Sequence, residues 1–126
     1  MAFARTGAGL CVACFHASTG GRRSEEDVQR AARTALEWAE GHPLVLGGDF
    51  NVRPSSSEAF ERLAALGLVG TTGPRAIDHL LVAGCQAEAP RAWPDVEREI
   101  RWGGKSLRLS DHAPVERVVR LPASEP

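Results

Sequence analysis

With 126 residues the chain can close one hydrophobic core and not two, and 43% apolar against 25% charged residues exclude wholesale disorder. Fifteen basic against sixteen acidic side chains leave a formal net charge of −1, which excludes a general electrostatic pull toward nucleic acid or anionic membranes. No run reaches the roughly 18 apolar residues of a membrane-spanning helix, and three cysteines without framework spacing argue against a disulfide scaffold and for a reducing, cytoplasmic compartment.

Arg5 precedes an apolar run from Gly7 to Phe15. The run is short, and polar His16, Ala17, Ser18 and Thr19 follow where a signal peptide needs a clean cleavage site, so it reads as structure. Gly9 to His16 is the first predicted strand, covered on both faces. Cys11 and Cys14 form a C-x-x-C inside it, yet residues three apart on a strand point to opposite faces. The pair does not open a helix, as a redox motif would, and Cys85 offers no second pair for zinc. Both read as buried structural cysteines.

A helix is predicted from Ser24, because Ser24-Glu25-Glu26-Asp27 is a near capping box with acidic residues in the first turn. Val28, Ala31, Ala32, Ala35, Leu36 and Ala39 make one apolar stripe, and Gly41 with Pro43 ends the helix. Pro43 to Gly47 is the second strand, followed by Gly48-Asp49-Phe50-Asn51. Ser57 caps a short helix to about Leu66, closed by Gly67. A third strand spans Ala76 to Ala83, with a weaker one near Gln86 to Trp93. Pro94 to Leu109 reads as polar and irregular, and Ser110-Asp111-His112 precedes a last strand from Ala113 to about Leu121. Strands alternating with helices imply an α/β sheet with functional residues at strand ends.

Those ends carry the chemistry. His16 closes the first strand, Asp49 and Asn51 follow the second, Asp78 and His79 open the third, and Asp111 and His112 precede the last. Carboxylates suit a hard cation such as Mg²⁺ or Mn²⁺, while imidazole and amide groups hold or protonate phosphate oxygens. Each cluster alone also has a purely local reading. Gly-Asp-Phe-Asn can be a turn bonding its own backbone, His16 a hydrogen-bonded strand end, and Asp78 a partner for a nearby loop. Ser110, Asp111 and His112 cannot form a serine triad among themselves, because adjacent residues cannot reach relay geometry. His42, before a helix-breaking proline, takes no role.

Taken in order, Phe15-His16-Ala17-Ser18, Gly48-Asp49-Phe50-Asn51, Ile77-Asp78-His79-Leu80 and Ser110-Asp111-His112-Ala113-Pro114-Val115 resemble one family over about Gly9 to Val119. It is the endonuclease/exonuclease/phosphatase superfamily, with the fold of pancreatic deoxyribonuclease. The resemblance implies an α/β fold: the C-terminal half of a four-layer α/β sandwich, one mixed sheet with helices on one face, as a single partial domain over residues 1–126. It implies a phosphoester hydrolase of phosphodiesterase, nuclease or phosphatase type, dependent on Mg²⁺ or Mn²⁺. Asp49 would orient or deprotonate the attacking water with Asn51 helping to place it. Asp111 would be a metal ligand. His112, oriented by Asp78, would contact the scissile phosphate, and His16 would bind the phosphate or serve the leaving oxygen.

Family domains are roughly twice this length, and their first half supplies a strand-borne asparagine and a metal-anchoring glutamate. Glu25, Glu26, Glu37 and Glu40 lie on the first helix and have neither context. Three expectations follow. The chain is a fragment of a larger hydrolase; or it is a half-domain completed by a homodimer or another chain; or it is a non-catalytic module that binds phosphate ligands or a protein through an uncovered sheet. The family's substrates include nucleic acids, nucleotides, phosphoinositides and sphingomyelin. Here the loops Thr71–Arg75 and Trp93–Arg108, with Arg75, Arg91, Arg98, Arg101 and Lys105, are placed to meet phosphates.

Overall fold

Residues 11–83 supply three of the four strands of the main sheet, and both helices lie on one of its faces. The computed structural model describes residues 1–123; of the domain expected over 1–126, the last three residues lie outside the described residues. The strands are β1 (Ala2–Arg5), β2 (Cys11–His16), β3 (Leu44–Asp49) and β4 (Asp78–Ala83), hydrogen-bonded in that order. β2 and β3 are parallel, while β1 and β4 run antiparallel to their neighbours, so the sheet is mixed. A parallel pair needs a long crossover, and α1 (Gly21–Ala39) supplies it.

Cys11, Ala13, Phe15, Leu44, Leu46 and Leu81 face α1 and α2 (Ala59–Ala65). They meet the α1 stripe of Val28, Ala31, Ala32, Ala35 and Ala39, together with Phe50, Phe60 and Leu63. Small alanines on α1 let the helix lie close to the sheet, and the stripe lies where the 3.6-residue period places it. The opposite face carries Val12, Cys14, Val45, Leu80 and Val82, aligned by the strand register, with no helix on it. Cys14 is exposed there, so of the two cysteines expected to be buried only Cys11 is. Strand alternation separates them.

Several expected boundaries shift for identifiable reasons. β3 runs on through Gly48 to Asp49, because a Cβ at Gly48 (φ +141°) would strike the Phe15 carbonyl; only glycine lets the two strands stay paired that far. α1 begins at Gly21, not at Ser24, and Ser24 is buried inside the first turn. Its hydroxyl donates to the Ser18 carbonyl at 2.6 Å, and Asp27 accepts the Ser18 N–H at 2.8 Å. The predicted capping residues thus fold the preceding loop over the helix start. Hydrogen bonding by the Ser18 side chain and then by its N–H lowers the Asp27 carboxyl pKa. Ser57 does serve α2, accepting the Ala59 N–H at 3.0 Å.

β1 was not legible. It is a fully exposed edge strand, fixed by Phe3 against Trp38 at 4.8 Å and by Arg5 over the Trp38 ring. Beyond β4 the expected pair of strands breaks into short pieces: β5 (Gln86–Ala87), β6 (Arg91–Ala92), β9 (Val115–Glu116) and β10 (Val119–Arg120). β10 pairs with β5, and β6 with β9. Pro94 to Leu109 is not irregular. It holds a hairpin, β7 (Glu99–Trp102) and β8 (Lys105–Arg108), turned by Gly103 and Gly104 at φ +58° and +73°. Two successive positive φ values are what a tight two-residue hairpin turn requires. Among the described residues no helix is long and apolar enough to cross a membrane.

Candidate active site at the ends of β2, β3 and β4

The sheet register places three of the expected residues in one row. His16 pairs with Asp49 across the parallel ladder, and Asp49 pairs with Asp78 across the antiparallel one. Directly opposed residues project to the same face, here the face without helices. The loop after β4's long C-terminal excursion then brings His112 over the row. Its Nδ1 lies 2.7 Å from Asp78 Oδ2.

Asp49 is the centre of the group. One oxygen, Oδ1, accepts the Asn51 N–H at 2.9 Å, the local turn that Gly-Asp-Phe-Asn suggests. The other, Oδ2, stands 3.4 Å from His16 Nε2 and 4.0 Å from His112 Nε2. Asn51 adopts a left-handed conformation (φ 50°), and its amide donates to the Ala17 carbonyl at 2.8 Å, joining the loops after β2 and β3. The carboxylates lie beneath and the imidazoles above: Asp49 and Asp78 side chains are 15% and 27% exposed, His112 43% and His16 74%.

The hydrogen bond to Asp78 pushes the His112 pKa up, and the charges of Asp78, Asp49 and Asp111 add to it. The same bond sets the tautomer: Nδ1–H donates to Asp78, so Nε2 is the atom turned toward Asp49. Asp78 is itself steadied through its backbone, whose carbonyl accepts the Thr72 hydroxyl at 2.7 Å. Asp111 is exposed beside His112 and stands outside the cluster formed by the other three.

Asp49, Asp78 and His112 each offer a ligand atom within 4.8 Å of the others. Two carboxylates and an imidazole are donor types that a divalent cation takes. The short Asp78–His112 bond already engages one atom of each, which leaves Asp49 Oδ2 and Asp78 Oδ1 as the open carboxylate oxygens. A shallow cleft of about 370 Å³ opens at this point, walled by Gly48, Leu80, Ala113 and Pro114.

His79, next to Asp78, points the other way, as strand alternation demands. It is buried, edge-on to Phe50 and Phe60 at 5.1 and 4.9 Å. Its Nδ1 accepts the Thr72 N–H at 3.1 Å, and Nε2–H donates to the Ala76 carbonyl at 2.9 Å. Burial pushes its pKa down, so it is a neutral core histidine. Two of the arginines expected to meet phosphates are otherwise engaged. Arg91 bridges Glu97 and Glu116, and Arg98 binds Asp95 and the Ser110 carbonyl. Sequence reasoning missed Thr72, which binds the Asp78 carbonyl and His79 Nδ1, and Arg117, whose guanidinium donates to the Leu80 carbonyl of β4; neither lies in a motif.

A family profile described as the endonuclease/exonuclease/phosphatase family matches residues 4–112. No curated protein matches the chain in sequence. Among solved structures it is similar to a mannosyl-6-phosphatase of Bacteroides thetaiotaomicron, with a TM-score of 0.70 and 17% identity over 89% of this chain and 51% of that one. It is also similar to an endonuclease/exonuclease/phosphatase family protein from the same organism, with a TM-score of 0.67 and 15% identity over 90% and 51%. A beta toxin from Staphylococcus aureus follows, with a TM-score of 0.61 and 12% identity over 86% and 52%. These likenesses show the fold, and the chain spans about half the length of the structures it matches.

Proposed function

The chain belongs to the endonuclease/exonuclease/phosphatase family, and from that premise we propose that its strand-end site takes part in metal-dependent hydrolysis of a phosphoester. The observation that carries the reading is the state of Asp49: one oxygen is tied to a backbone N–H, and the other lies open between two imidazole Nε2 atoms. An oxygen held that way can take a proton from water as the water oxygen attacks phosphorus. His112, favoured in its charged form by Asp78, presents Nε2–H to a phosphate oxygen. His16, exposed on the far side of Asp49, binds the phosphate or returns a proton to the leaving oxygen as the ester P–O bond breaks. Asn51 keeps Asp49 in place through its N–H.

The residue we assign to the cation is Asp111, with further oxygen ligands from the part of the fold that the matched structures have and this chain does not span. A bound Mg²⁺ or Mn²⁺ supplies positive charge against the phosphate oxygens. The substrate class to try first is a phosphomonoester, since the mannosyl-6-phosphatase is among the similar structures. Nucleotides, nucleic acid and lipid or inositol phosphates follow as diester and headgroup alternatives.

The test is hydrolysis of p-nitrophenyl phosphate and bis-p-nitrophenyl phosphate with Mn²⁺ or Mg²⁺, at rising protein concentration so that a homodimer would register. Asp49→Asn is expected to lower kcat on the order of 10³-fold. Metal-dependent turnover unchanged in Asp49→Asn would overturn the reading. A second reading is favoured by the sheet face bearing exposed Cys14 and half-buried Val12 and Leu80, which no helix covers. On it the chain is a non-catalytic module that binds a protein or a phosphate ligand, and Asp49→Ala leaves that binding intact.

A further inference from the structure

One cation outside this site is held in an unusual way. Arg117, between β9 and β10, forms no ion pair with a carboxylate among the described residues; its guanidinium donates to four main-chain carbonyls instead. Nε reaches Glu88 O at 2.9 Å, and Nη1 reaches Leu80 O, Gly70 O and Val69 O at 2.7, 3.0 and 3.3 Å. These acceptors come from β4, from the loop preceding it and from the turn after β5. The loop is shaped to receive the side chain. Gly70 has φ +95°, and a Cβ there would occupy the space the guanidinium fills.

This clasp bears on the site through two short stretches of chain. Leu80 is two residues from Asp78 on β4, and Arg117 is five residues from His112. The intervening segment is exposed or half-buried, so packing against β4 holds it only in part. Its other hydrogen bonds, and that of Ser110 just before it, lead away from the main sheet: Pro114 O accepts from Trp93 N–H, Glu116 pairs with Arg91, and Ser110 O accepts from Arg98. Among the described residues the side-chain hydrogen bonds joining residues 110–120 to β4 are therefore two, His112 to Asp78 and Arg117 to Leu80. A loop closed by one exposed hydrogen bond keeps its geometry poorly; a second anchor of four bonds fixes the register.

We infer that Arg117 is a positioning residue, which sets the Ser110–His112 loop against β4 so that His112 Nδ1 meets Asp78 Oδ2. Its catalytic consequence rests on the hydrolase reading, whereas the placement itself does not. Lysine cannot replace it, since one ammonium cannot span carbonyls of three segments.

The test uses the full chain with ¹⁵N-labelled imidazoles. The His112 Nδ1–H proton shared with Asp78 gives a downfield signal, identified by its loss in Asp78→Asn. The His79 Nε2–H signal, from the buried core side of the same strand, reports that β4 remains folded. In Arg117→Met and Arg117→Lys we expect the His112 signal to vanish by exchange while the His79 signal stays. Gly70→Ala, which crowds the guanidinium without removing its charge, should act likewise. Persistence of the His112 signal in these variants overturns the inference. Where Arg117→Met fails to fold, and both signals are lost, Gly70→Ala and Arg117→Lys decide. This readout needs no turnover, so it stands apart from any failure of the hydrolase reading. In the active protein, kcat should fall 10- to 100-fold, on the order expected for a misplaced catalytic group, with KM within about twofold.

Discussion

The chain divides at Ala83 into two regions built by different means. Residues 11–82 contain every buried side chain among the described residues, most of them gathered under two helices, with Val45 and Val82 on the other face of the sheet. Residues 84–121 bury none; they form three two-stranded pieces held by turns, ion pairs and main-chain bonds. The site draws on both. Asp49 and Asp78 stand on strands whose register is fixed by a packed core, and His112 arrives on a loop from the unpacked region. Hydrophobic burial positions the carboxylates, while hydrogen bonds position the imidazole.

Paired leucine truncations are the strongest way to break that contrast. Leu46 is fully buried in β3 and Leu107 is 60% exposed on β8. Leu46→Ala should cost about 2–5 kcal/mol, transfer energy plus cavity. Leu107→Ala should stay within about 0.5 kcal/mol, as exposed substitutions do. Urea denaturation of the two variants checks both. Equal losses would mean that the hairpin is packed as the sheet is.

His112→Gln sharpens the comparison on the side of function. It removes a charge from an exposed group, so the denaturation midpoint should hardly move. Phosphoester turnover should fall on the order of 10²-fold. Asp78→Asn should act on the same group through pKa. His112 is raised above its ordinary value chiefly by its bond to Asp78. A step needing the imidazolium therefore persists above pH 6.5, and the alkaline limb of the pH–rate profile should move to lower pH in Asp78→Asn.

The same division governs what could be read from sequence. β2, β3, β4 and both helices were legible because apolar periodicity reports burial, and residues 11–82 are where burial occurs. His16, Asp49, Asp78 and His112 were legible as candidates because they sit in short motifs at strand ends, although only the register explains why the first three meet, and only the bond to Asp78 why His112 joins them. The hairpin was overlooked because Ile100, Trp102 and Leu107 are interleaved with charges and pack against no core; Gly103-Gly104 was the one available signal. Ser24 misled because a capping pattern records which side chains can bond free N–H groups, not whether the preceding loop takes them first. Arg117 left no local trace, since its four acceptors lie 29 to 48 residues away in the chain.

The smallest expected effect separates the two histidines that the third motif and the fourth bring near Asp78. His79 is buried and its pKa is lowered by desolvation, so the unfolded chain binds a proton at about pH 6.5 that the folded chain resists. Stability must then fall as pH drops below that value. His112 has the opposite sign: its raised pKa contributes stability below pH 6.5 and loses it as pH rises through the folded value. Being exposed, His112 contributes little, so the acid side should be set by His79. Urea midpoints measured across the range below pH 6.5 should decline in the wild type and in His112→Gln alike, and the histidine share of that decline should disappear in His79→Leu. A decline removed by His112→Gln instead would place the proton-sensitive contact on the open face of the sheet, and the packed region would no longer be the one that acid reaches first.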